Sequence, residues 1–157
     1  MKIVKLLFIY FLLFFSLECI ADPQFNYDVV ANYIKKYGKD AFGKIFVDHI
    51  KTNSPAIITD NLRRKRIYYF TAKNEIILTY VINVAEYEKK SLPTKKYTYQ
   101  ELLSFTNIFT YCTAKSIRAA IDNDILFRIE YENDKDYGLY TSIVVNKQLC
   151  VEFDKIN

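Results

Sequence analysis

Apolar side chains recur every three or four residues early in the chain and every second residue later, and each change of period marks a change of element. Val30, Tyr33, Ile34 and Tyr37 share one helical face and stop at Gly38, which predicts a first short helix. Asp40 is placed to cap a second helix with Phe42, Ile45, Phe46, His49 and Ile50 on its inner face, ended by Thr52-Asn53-Ser54-Pro55. From Ala56 the pattern turns to strands. Ile57 and Ile58 begin one, and Arg66 to Ala72 joins Glu75 to Val84 through Lys73-Asn74 as a β-hairpin. In the second run Ile76, Leu78, Tyr80, Ile82 and Val84 share a face while Ile77 and Val81 lie opposite. That strand is expected to be central and covered on both sides.

Glu86 to Lys96, with Pro93, reads as a polar, mobile connection. Thr98 followed by Glu101 is a capping box, and Tyr97 can staple onto Leu102, so a helix starts there. Its expected buried stripe is Leu102, Phe105, Ile108, Phe109 and Cys112. Thr113 is read as the cap of a continuation through Ile117, Ala120 and Ile121, which Asp122-Asn123-Asp124 ends. The tail then alternates: Ile125, Phe127, Ile129 and Tyr131 against Leu126, Arg128, Glu130 and Glu132, a turn over Asn133 to Gly138, and a return over Leu139 to Val145. Asn146-Lys147 is read as a further turn into a last strand, Leu149 to Phe153, which carries Cys150. The expected fold is α+β, with helices packed on a mainly antiparallel sheet of four or five strands.

The start of the chain is different in kind. Met1, Lys2 and Lys5 precede an unbroken apolar stretch from Leu6 to Phe15, and Cys19-Ile20-Ala21 places small residues at both cleavage-motif positions. This is the form of a secretory signal peptide, and its apolar run is shorter than the roughly 20 residues that span a bilayer. The expectation is a leader over 1–21 and a single exported, soluble domain over 22–157, periplasmic or secreted. A lipidated Cys19 is the poorer reading, because Glu18 stands where a lipidation site has a small residue.

Composition narrows the class. A hydrophobic content of 51% with 14 Tyr and 12 Phe excludes a disordered chain. Loss of the leader removes two Lys and one Glu, so the net charge falls from +4 to about +3, too mild for a nucleic-acid partner. It also removes Cys19 and leaves Cys112 and Cys150, which in an oxidising compartment are expected to pair; the alternative is a free reactive thiol.

No motif of catalytic, metal or nucleotide chemistry stands out. His49 is the single histidine, and it reads as a packed or edge residue ahead of a catalytic base. No metal site and no cofactor are expected, since zinc needs three or four ligands and a disulfide consumes both thiols. Asn133 to Gly138 looks like a calcium loop but puts Lys135 and Tyr137 where oxygen ligands belong, so it reads as a turn. Glu130 and Glu132 read as solvated surface carboxylates. Arg63-Arg64-Lys65-Arg66, followed by Tyr68, Tyr69 and Phe70, is the one dense charge run. It is read as a loop at a strand edge and as the candidate contact for an anionic surface or an acidic partner.

The run Phe109-Thr110-Tyr111-Cys112-Thr113, then Ile117-Arg118, Phe127 to Tyr131, Gly138 and Ile143 to Cys150 resembles small exported proteins of Gram-negative bacteria. Those proteins, of the quorum-sensing-regulated virulence factor type, share a leader, a helix ending in Tyr-Cys, a Tyr-rich hairpin and a final Cys. The resemblance implies the exported compartment and the disulfide. The function expected is a non-enzymatic envelope accessory or binding protein linked to secretion or virulence, with an envelope or secreted protein as partner. A small periplasmic hydrolase using His49 and a basic module binding anionic envelope components are the alternatives.

Overall fold

The computed structural model describes residues 26–86 and 98–156. The leader, the Tyr97 staple and the connection beyond Glu86 lie outside the described residues. Helix α1 (Tyr27–Tyr37) starts where the Asn26 side chain accepts from Val29 N, and Gly38 ends it with φ +89°, donating to Ile34 O. The same glycine serves as N-cap of α2 (Lys39–Asn53) without a side-chain hydrogen bond. Asp40 is therefore not the cap: its carboxylate accepts from the Tyr69 hydroxyl instead.

The sheet has five strands in the order β1 (Ile57–Thr59), β2 (Leu62–Phe70), β3 (Glu75–Ile82), β4 (Leu126–Asn133) and β5 (Leu139–Val145). Every pairing is antiparallel except β3 with β4, which is parallel. A parallel pair needs a long crossover, and α3 (Tyr99–Thr113) and α4 (Lys115–Asp122) lie within it. All eight residues of β3 are buried, as the two apolar faces of that run required. The fold is α+β with a mostly antiparallel sheet and one disulfide.

The last element and the buried side of α3 depart from the sequence expectation. Residues Lys147–Asp154 form α5 and not a strand, because Asn146 accepts from Leu149 N and so opens a helix where only a turn was read. The buried side of α3 is also rotated. Leu103, Asn107, Thr110, Tyr111 and Cys112 face the core, while Phe105 is 59% exposed. Asn107 can be buried because its Nδ2 donates to Leu103 O and to the Tyr131 hydroxyl, a network that a count of apolar positions does not register. The Thr98–Glu101 capping box is present, but Thr113 donates to Phe109 O and does not cap α4.

Inward residues of the strands and the buried sides of the helices form one core around Phe127, Ile129 and Tyr131, with Phe46 and Tyr111 edge-on to Phe127. Gly43 of α2 fixes how close this layer sits. A Cβ there would fall well inside contact distance of the Tyr69 ring, whose hydroxyl is held between Asp40 Oδ1 (3.1 Å) and Asn74 Oδ1 (3.0 Å). Burial, then the Asp40 hydrogen bond, push the Tyr69 hydroxyl up to about 12. Gly43→Ala is expected to destabilise by about 1–2 kcal/mol, overpacking outweighing a helix-propensity gain of about 1 kcal/mol. In a Tyr69→Ala background the same change should turn stabilising, and urea unfolding of the four proteins measures the reversal.

Candidate interaction face

The outward side of the sheet is built from alternate positions of all five strands, and strand register arranges them in rows. The first row is Ile57, Arg63, Val81, Glu132 and Leu139, and the second is Arg66, Thr79, Glu130 and Ser142. The third is Tyr68, Ile77, Arg128 and Val144, and the fourth is Phe70, Glu75 and Leu126. Ile77 and Val81 are buried yet lie outside the core cluster.

The basic run is thus not a loop. Arg63, Arg64, Lys65 and Arg66 all belong to β2, and a register shift between Arg64 and Arg66 leaves Lys65 as the extra residue of a bulge. Lys65 Nζ reaches Glu132 Oε2, and Arg66 Nη2 lies 3.4 Å from Glu130 Oε2 and 3.5 Å from Glu132 Oε1. Arg66 Nε donates to Thr79 Oγ1 at 2.9 Å, and that hydroxyl donates to Glu130 at 3.0 Å. Glu132 is 8% exposed and Thr79 fully buried, so Glu130 and Glu132 are not the solvated carboxylates expected from alternation. Further along, Arg128 Nε is 2.9 Å from Glu75 Oε1, and Glu75 is 2% exposed.

Arg63 and Arg64 differ from their neighbours. Among the described residues neither has a carboxylate within 4 Å. Arg64 points inward by register and donates to Ser54 O at 3.0 Å. Arg63 Nη2 donates to the Tyr137 hydroxyl at 3.4 Å. Tyr137 has φ +56°, a left-handed conformation that a bulky residue adopts at some cost, and it brings the ring 4.9 Å from Lys65 Nζ. Arg63, Arg64, Lys65, Val81 and Tyr137 line a recess of about 430 Å³.

The turn over Asn133 to Gly138 is closed by its own side chains: Asn133 Oδ1 accepts from Lys135 N, and Asp136 Oδ1 from Gly138 N. Those oxygens serve the backbone, in keeping with a turn. His49 is half-buried at the margin of the α2 inner face, with Nδ1 3.1 Å from Asn53 Nδ2 one turn on. Cys112 and Cys150 are bonded, their Cα atoms 5.3 Å apart. Beside them Arg118 holds Asp154 of α5 by two hydrogen bonds (3.1 and 2.8 Å) and Asp122 by one (3.0 Å). The hydrogen bonds from Arg118 keep the Asp154 carboxyl below its ordinary value.

No family model matches the chain, and no curated protein matches it. Its fold does match solved structures. A "putative secreted protein" from Pseudomonas aeruginosa aligns with a TM-score of 0.59 at 8% identity, over 74% of this chain and 96% of the other. The pilotin EpsS of the Vibrio vulnificus type 2 secretion system gives 0.58 at 18% identity, over 74% and 94%. The type II secretion system pilotin AspS from Vibrio cholerae gives 0.55 at 19% identity, over 76% and 99%. At these identities the likeness is one of fold, and it spans nearly the whole of each neighbour.

Proposed function

We propose that this chain is an exported, non-enzymatic accessory protein of the cell envelope that works by binding another envelope protein, as part of a secretion apparatus. The observation that carries the reading is the alignment of its fold with 94% and 99% of two type II secretion pilotins. The leader expected over 1–21 and the disulfide support export. Fold alone does not imply function, so the reading needs a test of its own. The hydrolase alternative gains no support from His49, whose ring nitrogen faces an asparagine amide of its own helix.

The test is crosslinking of tagged protein in the intact envelope, with identification of bound proteins, beside comparison of secreted proteins with and without the gene. The expected result is a secretion component in the crosslinked set and a reduced secreted fraction on deletion. An unchanged secreted fraction together with no secretion component would overturn the reading.

A further inference from the structure

We infer that the first row of the outward sheet face is a docking groove for an acidic, amphipathic segment of a partner protein, with Arg63 receiving its carboxylate. This rests on the accessory-protein reading and adds the face and the partner chemistry.

Cation pairing singles out the row. Lys65, Arg66 and Arg128 on the same face are each matched to a glutamate, whereas among the described residues Arg63 has a single phenolic oxygen at 3.4 Å. A guanidinium facing solvent beside a recess is a ready partner for a carboxylate, which it can take with two parallel hydrogen bonds. The exposed apolar residues of the row lie at its two ends. Ile57 is 70% exposed and Leu139 65% exposed, and they sit on opposite edge strands. Four strand spacings separate them by about 19 Å, the length of a helix of about 13 residues. Val81 floors the middle and Tyr137, 52% exposed, walls it. An acidic segment with apolar residues toward both ends matches that order.

Charge also argues against other occupants. Residues 87–97 of this chain hold four Lys and one Glu, so they carry the wrong sign for Arg63. A second copy brings the same net positive charge. An anionic lipid surface matches the charge, but it does not call for two apolar anchors at the far ends of a single row.

Random 16-residue peptides displayed on phage and selected against the exported protein test the assignment. Enriched peptides are expected to be acidic with apolar residues at helical spacing. Arg63→Glu should weaken them at least tenfold and Leu139→Asn or Ile57→Asn several-fold, with the thermal midpoint unchanged in each variant. Enrichment of neutral or basic peptides, or acidic peptides indifferent to Arg63→Glu, overturns the inference. So does equal binding to phosphatidylglycerol vesicles, or a dimer in sedimentation that Arg63→Glu abolishes. A secretion component crosslinked equally by wild type and Arg63→Glu sinks this assignment while leaving the accessory function standing.

Discussion

Reduction of the Cys112–Cys150 bond, or Cys150→Ala, is expected to lower stability by about 2–5 kcal/mol. The bond closes a loop of 38 residues containing α4, β4 and β5, and loop-closure entropy gives about 4 kcal/mol at that length. The loss should arise mostly in the unfolded ensemble. With the bond gone, α5 is still held by the two hydrogen bonds from Arg118 to Asp154 and by the edge-on contact of Phe109 with Phe153. Unfolding in denaturant should therefore show a lower midpoint with a steeper slope, because the opened chain exposes more surface. Two free thiols in unreduced, denatured protein would contradict the bond itself. A native helix content that drops on reduction, before any denaturant, would contradict the Arg118 clamp.

What could be read from the sequence was what neighbouring residues decide. The capping box at Thr98, the Gly38 stop and the two-residue period of β3 are local, and each is found where it was expected. The α5 segment was misread for a related reason. Leu149, Val151 and Phe153 alternate as strand residues do, and the Asn146 side chain decides for a helix. The α3 stripe was legible only in part: Cys112 is buried and Ile108 and Phe109 pack against the core, but Phe105 is exposed and Asn107 is buried by its hydrogen bond to Tyr131, which joins residues 24 apart. Among the site residues, Arg63 to Arg66 were legible as a charge run, but which of them meet a glutamate among the described residues was not. Lys65 meets Glu132 across 67 residues, and only the bulge in β2 brings Lys65 and Arg66 within reach of the same carboxylate. Charge reversal at Lys65 is consequently not the neutral surface change that a loop position would have implied.

At the other end of the same face, Arg128→Leu is expected to destabilise by about 3 kcal/mol, because it strands the Glu75 carboxylate without its cation. Glu75 opens β3 and keeps only 3% of its side chain exposed, whereas the Arg128 side chain remains one-third exposed. That partial exposure is the reason to take the low end of the range known for broken buried pairs. Removing both charges leaves no stranded ion, so Glu75→Leu added to Arg128→Leu should recover most of the loss. If the double variant is no more stable than the single one, the pair is not what holds this corner. One row lies between those of Arg128 and Arg63, and neither variant changes Ile57, Tyr137 or Leu139. Peptides selected on the wild-type protein should therefore bind the double variant with unchanged affinity. A loss equal to that of Arg63→Glu would mean the cations of this face act as one field, and its division into a paired ladder and a docking row would have to be abandoned.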